Sequence, residues 1–300
     1  MLVDTASLYF RAFHGVPASV TAPDGSPVNA VRGFLDMIAT LVEGHRPGRL
    51  ACCLDLDWRP RFRVEALPGY KAHRVAGPDG AEQVPEALAP QVPVLLDVLA
   101  ALGVATVGAD GYEADDVIAS LAAREPGPTD VVTGDRDLFA VVDDTRAVRV
   151  VYVGRGVARR ELVDGAEVVR RHGVTPAQYA DLAILRGDPS DGLPGVPGIG
   201  EKTAAALLST HGSLRELLAA VQAGEDVPRA AALAEHRDYL QAALDVVPVR
   251  TDVALPRRDL TLPEVPADPD RLVELGRRWG LDRPLARVLA AFSAAHSTSV

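Results

Sequence analysis

Nine acidic residues stand where a carboxylate could do chemistry: Asp4, Asp55, Glu113, Asp115, Asp116, Asp135, Asp137, Asp188 and Asp191. Glu113 and Asp116 are three apart and so share one helix face. Asp135 and Asp137 flank Arg136, and Asp188 and Asp191 are again three apart. Two carboxylates ~4 Å apart repel by about 4 kcal/mol at an effective dielectric near 20. Nine converging ones could not all stay ionised without cations. No His/Cys set has zinc spacing, which leaves hard divalent ions with oxygen ligands, Mg²⁺ or Mn²⁺. Two such ions about 3.5–4 Å apart polarise a phosphodiester, generate hydroxide and stabilise the leaving oxygen. Singly, each acid has a plainer reading: a strand-end Asp as a helix cap, Glu113–Asp116 as an acidic first turn, Asp135–Asp137 as a solvated turn. Their joint occurrence favours a metal site.

Convergence depends on the elements that carry the acids. Short apolar runs at 1–4, 50–54, 104–107, 130–133 and 148–153 read as strands. Helical patterns at 28–43, 85–102 and 114–124 separate them. This alternation predicts an α/β domain with a mostly parallel sheet covered on both faces. Ligands of such sheets lie beyond the carboxyl ends of the strands. Asp4, Asp55 and Asp135 each follow a strand, so they should meet at one edge. From residue 165 the pattern is helical, over 166–171, 176–186, 201–209, 214–220 and 230–243, and a Pro- and acid-rich connector spans 256–269. Two helices, 271–279 and 284–292, close a helical domain assigned to 165–300, against 1–164 for the α/β domain. The final Ser-Thr-Ser-Val reads as a frayed end.

Net charge is −10, which taken alone argues against a nucleic-acid binder. The nine acids account for nearly all of it, so the remaining surface is close to neutral. Residues 58–74 hold Trp58, Phe62 and Tyr70 among Arg59, Arg61, Arg63, Lys71 and Arg74. That is the composition of a single-strand funnel, with charge for phosphates and rings for bases. A solvated basic loop is the plainer alternative. Lys71 and Lys202 are the two lysines of a chain with 29 arginines. A compact ammonium suits a single phosphate oxygen better than a planar guanidinium does. The stretch 187–204 runs from Asp188 and Asp191 into Gly195, Gly198 and Gly200, then Glu201-Lys202-Thr203. Glycines let a phosphate approach the backbone, and free N–H groups at a helix start bind it. Outward turn carbonyls could hold a monovalent cation. Cys52 and Cys53 are adjacent in an apolar run, so they cannot staple a loop and read as buried residues in a reducing cytosol. No apolar run reaches membrane-spanning length, and no basic signal-peptide region precedes Asp4.

The motifs Val3-Asp4, Leu54-Asp55, Phe62-Arg63, Gly69-Tyr70-Lys71-Ala72 with Arg74, Gly111 through Val117, Thr133-Gly134-Asp135-Arg136-Asp137-Leu138 and Gly187-Asp188-Pro189-Ser190-Asp191 together resemble the bacterial 5′→3′ exonucleases of the flap endonuclease superfamily. That nuclease domain is also fused to many bacterial DNA polymerases I. The resemblance implies a resolvase-like (PIN-like) nuclease domain and a helix-3-turn-helix module, of helix-hairpin-helix type, that binds DNA and holds K⁺. It implies a helical arch or clamp at about 59–85 that admits a 5′ single strand. By position, Asp4, Asp55, Glu113, Asp115 and Asp116 would serve a first metal site, and Asp135, Asp137, Asp188 and Asp191 a second. Lys71, helped by Arg74, would contact the scissile phosphate. Arg63, Tyr70, Gly195, Gly198, Gly200, Lys202 and Thr203 are the expected DNA contacts. Thr5 stands where the family usually has Gly, and Gly192 where Asn is common; both departures bear on rate rather than activity. The expectation is a stand-alone, monomeric, cytoplasmic, nucleoid-associated nuclease of 5′ flaps and nicked or gapped duplex, with DNA polymerase I or a sliding clamp as candidate protein partners. The rivals are a catalytically silent DNA-binding scaffold and a PIN-like ribonuclease.

Overall fold

The computed structural model describes residues 1–77 and 80–297. Residues 78 and 79 of the expected arch, and 298–300 of the expected frayed end, lie outside the described residues. In order, the elements are β1 (Leu2–Asp4), α1 (Thr5–Gly15), α2 (Asn29–His45), β2 (Ala51–Cys53), α3 (Arg61–Ala66), α4 (Gln91–Leu102), β3 (Ala105–Val107), α5 (Ala114–Arg124), β4 (Thr129–Thr133), β5 (Val148–Tyr152) and β6 (Glu161–Val163). The helices α6 (Gly165–His172), α7 (Tyr179–Arg186), α8 (Glu201–His211), α9 (Leu214–Gln222), α10 (Ala230–Glu235), α11 (Arg237–Val246), α12 (Pro269–Trp279) and α13 (Asp282–His296) follow.

The strands form one sheet in the order β3-β2-β1-β4-β5-β6, parallel throughout except for the antiparallel edge strand β6. Alternation along each strand sends Leu2, Ala51, Cys53, Val131 and Val150 into one core and Val3, Cys52, Val132 and Val151 into the other. The adjacent cysteines therefore face opposite layers, both fully buried and free. The first core continues through α5 into α7, α8, α9, α10 and α11, so the helical module shares its packing with the sheet. The second core holds α1, α2 and α4.

Several expectations change. The helix foreseen from residue 85 begins at Gln91, because Pro90 disfavours a helical conformation at the residue before it. The helix foreseen over 230–243 breaks at His236 into α10 and α11. Helix α1 and strand β6 are additional. The closing helices do not belong with the helical module. Leu272 and Leu275 of α12, and Leu285, Val288 and Phe292 of α13, pack in the core of α2 and α4. Instead of a helical arch, the described part of 59–85 holds the short α3 and a 3-10 turn over Ala72–Arg74. Among the described residues no helix is long and apolar enough to cross a membrane.

Phe292 is 1% exposed. Phe292→Ala is expected to lower unfolding free energy by about 3–5 kcal/mol, measured by denaturant titration. A loss below about 1 kcal/mol would detach α13 from the sheet domain's core.

Candidate active site

Strand β1 lies between β2 and β4, so chain connections leave it in opposite directions and open a crevice at the carboxyl ends. Asp4 ends β1 and caps α1: its Oδ1 accepts the Ser7 N–H at 3.0 Å, while its Oδ2 accepts the Thr133 hydroxyl at 2.7 Å. Thr133 ends β4, and its Oγ1 accepts the Asp135 N–H at 2.9 Å. Asp135 in turn accepts the Asp137 N–H at 3.0 Å. Asp55, two residues beyond β2, accepts the Ala114 N–H at 2.8 Å and so fixes the start of α5. One cleft of about 640 Å³ is lined by Asp4, Asp55, Glu113, Asp115, Asp135, Asp137 and Asp188, with Lys71, Arg74, Arg186, Trp58 and Phe10. Asp191 stands at its margin, 3.9 Å from the Lys71 Nζ and 3.6 Å from the Arg74 Nη2. Three distant strand ends thus meet at one edge.

The electrostatics follow from that crowding. Burial, then the charge of Asp55, raises the Asp4 carboxyl to about 7, with Asp135 adding to the rise. Enclosure by the surrounding protein, then Asp135 and Asp4, pushes Asp115 well above the usual carboxylate range. Asp137 is driven the same way by enclosure and by Asp135, Asp191 and Asp188. No three of these groups, among the described residues, are gathered closely enough to cage an ion alone. They line an open cleft.

Lys71 sits at φ 48, and its Nζ donates to Glu113 Oε1 at 2.5 Å. Burial opposes its charge, but Tyr70, Glu113 and Asp191 outweigh it and hold the ammonium well above its usual range. Its backbone N–H donates to the Asp191 carbonyl at 2.9 Å, and Arg74 donates to the Ser190 carbonyl at 2.7 Å. The loop carrying Asp188 and Asp191 is therefore latched to the basic segment. Gly192 makes the latch possible: φ is +73°, and a Cβ there would lie 2.5 Å from the Gly69 carbonyl.

Four of the expected contacts fall elsewhere. Arg63, expected on DNA, is 2% exposed. Its guanidinium pairs with Glu113, donates to Asp116 Oδ1 at 2.7 Å and to the Val246 carbonyl at 2.9 Å. Tyr70, also expected on DNA, is 3% exposed and donates to Glu113 Oε2 at 2.8 Å. Asp116, expected as a metal ligand, is fully buried behind the cleft. It accepts Arg63 and the Arg250 N–H at 2.8 Å, and caps the Glu113 N–H. Gly195 is a packing glycine, since a Cβ there would stand 2.5 Å from the Gly187 nitrogen. Gly198, Gly200 and Lys202 are exposed and Thr203 is half-exposed at the start of α8. Thr133, quoted above only within its motif, and Arg186, not singled out along the chain, both touch acids of the cleft. Arg186 was visible as a lone cation directly preceding Gly187-Asp188.

Removing one partner of a buried ion pair strands the other. Arg63→Met is therefore expected to cost about 3–5 kcal/mol of stability, by denaturant unfolding, and to leave the salt dependence of DNA binding unchanged. Intact stability with a shallower salt slope would return Arg63 to the DNA surface.

Residues 1–173 match the family model of the 5′-3′ exonuclease N-terminal resolvase-like domain, and 174–268 that of its C-terminal SAM fold. A 5′-3′ exonuclease of Streptomyces coelicolor is 56% identical over 98% of this chain and 100% of its own length. One of Mycobacterium tuberculosis is 52% identical over 97% and 96%. The Mycobacterium tuberculosis DNA polymerase I is 43% identical over 74% of this chain, which is 24% of that protein. Among solved structures, the T5 D15 protein co-crystallised with metal ions superposes with a TM-score of 0.62 at 18% identity, covering 98% of this chain and 96% of that one. Flap endonuclease-1 from Methanococcus jannaschii gives 0.58 at 14% identity, covering 100% and 93%. With both family domains matched in order and the acid-lined cleft at the sheet's switch point, the chain belongs to the 5′-3′ exonuclease family and is a 5′ nuclease.

Proposed function

We propose that the chain hydrolyses DNA phosphodiesters at 5′ ends and 5′ flaps, with divalent cations in the acid cleft, during replication and repair. The observation that carries this reading is the convergence of eight carboxylates, Glu82 with the seven named above, on one cleft that also presents Lys71 and Arg74. Divalent cations fit because the donors are all oxygen and because the acids at neutral pH are crowded beyond what they can hold ionised alone. Asp4, Asp55, Asp115, Asp135, Asp137, Asp188 and Asp191 are the residues that would hold them, with Glu113 turned toward Lys71. When bound, such ions supply Lewis acidity at the phosphate and activation of water.

The chain's own groups do the rest. Thr133 and the Ser7 N–H hold Asp4 in one orientation. Glu113 holds Lys71 at the cleft, with Arg74 also lining it, and there its ammonium would face the scissile phosphate. The exposed start of α8, at Gly198, Gly200, Lys202 and Thr203, offers free N–H groups and a cation to the duplex backbone. The turn ahead of it is the place for K⁺. The same cleft chemistry could act on RNA, so matched RNA and DNA flaps separate the two substrates.

Two outcomes test the assignment. Asp135→Ala/Asp137→Ala is expected to abolish Mg²⁺-dependent cleavage of a labelled 5′ flap while flap binding persists; wild-type-like cleavage sinks the metal assignment. Lys71→Ala should lower kcat by about 10²-fold or more with KM little changed, since one transition-state contact is lost and the duplex contacts stay. Equal losses in binding and turnover would make it a docking residue.

A further inference from the structure

The cleft contains one cation that neither the family motifs nor the proposed chemistry uses. Arg186 is the last residue of α7 and lines the acid cleft. Its guanidinium is shared between two carboxylates: Nη2 lies 3.4 Å from Asp188 Oδ2, and Nη1 lies 3.5 Å from Glu201 Oε2. Both are longer than the roughly 2.7–2.9 Å of a committed charge-assisted bond. The two acids belong to different tasks. Asp188 faces the cleft, whereas Glu201 is the first residue of the hairpin helix α8.

The remaining contacts of each acid make this sharing directional. Asp188 Oδ1 is held by the Ser190 N–H at 2.9 Å and the Ser190 hydroxyl at 2.5 Å. Oδ2 is the oxygen left for a cation, and among the described residues its one partner is Arg186. Glu201 Oε1 is clasped by His172 Nδ1 at 2.8 Å, so the carboxylate is fixed with Oε2 toward Arg186. His172 itself packs against the Phe139 and Tyr179 rings. A guanidinium between two fixed carboxylates can turn to one as the other is taken.

We propose that Arg186 is a positioning residue that occupies Asp188 Oδ2 in the unloaded cleft, yields it to an incoming divalent ion, and turns to Glu201. The hand-off couples metal loading at Asp188 to the first turn of the helix that grips the duplex. This inference rests on the reading of Asp188 as a metal ligand. It predicts that Arg186 competes with the ion and that Glu201 relieves the competition.

The test is direct Mn²⁺ binding by the full chain without DNA, read from the loss of the free Mn²⁺ electron paramagnetic resonance signal. Arg186→Met, or Arg186→Gln should the Met variant not fold, is expected to tighten Mn²⁺ binding by about threefold or more. Glu201→Gln is expected to weaken it by a similar factor, and to have no effect in the Arg186→Met background. A Glu201→Gln effect that persists undiminished without Arg186 would reflect the general field of the cleft and overturns the hand-off, as do shifts of both single variants in the same direction or in neither. Asp188→Asn separates this failure from that of the underlying reading. Loss of one Mn²⁺ site in that variant upholds Asp188 as a ligand, and an unchanged stoichiometry overturns both.

Discussion

Mutual repulsion among carboxylates at the switch point of the sheet is the constraint around which the molecule is arranged. A buried acid whose folded-state pKa is raised binds a proton that the unfolded chain has released. Its contribution to stability therefore falls as pH rises from the unfolded value, about 3.9 for Asp, through the folded one, about 7 for Asp4. At neutral pH the cleft works against the fold, and two cores, one on each sheet face, must offset it. The local response is visible in the donors. Asp4 takes a helix-capping N–H and a threonine hydroxyl, Asp55 takes the first N–H of α5, and Asp135 takes the N–H of Asp137. At Asp4 and Asp55 these donors favour the ionised form, against the burial that opposes it.

The cations divide by depth. Arg63 lies beneath the cleft, where it neutralises Glu113 and Asp116 and ties α3 to α5 and to the end of α11 through Val246. An arginine suits that task because its fork serves several acceptors at once and stays charged when desolvated. Lys71 lies above Glu113 with a single short bond to it and remains 12% exposed. Glu113 thereby joins the buried cation to the one at the cleft. Arg186 at the far wall is bound least firmly of the three, consistent with a cation meant to move.

Much of this was legible in the residues. The apolar strand runs fixed the parallel sheet, and an acid after each of three runs was enough to place a cleft at one edge. The helical pattern over 114–124 behind the acidic Glu113–Asp116 group was legible, and the structure keeps those bounds at Ala114–Arg124. What the residues could not show was depth. Arg63 and Arg74 read alike along the chain, yet one is buried by the end of α11, 183 residues away, and the other is open at the cleft margin. Gly195 and Gly198 likewise look equivalent in a Gly-Pro run, although one packs against Gly187 and the other is exposed. The arch was an expectation from the family resemblance, and the basic segment folds down because Arg59 donates to the Tyr70 and Pro68 carbonyls and Lys71 binds the 188–192 loop. The closing helices carried no local sign that their partners were α2 and α4, since amphipathicity names a buried face and not its mate.

The adjacency of acids and hairpin along 187–204 has a mechanical reason. Asp188 and Leu193 exchange backbone hydrogen bonds at 3.0 and 2.8 Å, closing the acid loop into a tight turn. Gly187 and Gly195 then meet across its base, where either Cβ would collide with backbone. The Val196 N–H donates to the Leu185 carbonyl and the Tyr239 hydroxyl to that of Ile184, so the turn is welded to the last residues of α7. These bonds hold the chain from Asp188 to Val196 against α7, and Ile199 is buried just ahead of α8. On the proposed reading, a duplex gripped at Gly200 and Lys202 would be registered against the cleft through this turn. Where the family pattern favours Asn, Gly192 fits the same logic: a side chain there would press on the Gly69 carbonyl and pry the acid loop from Lys71. Glycine at 192 thus keeps the acid loop registered against Lys71.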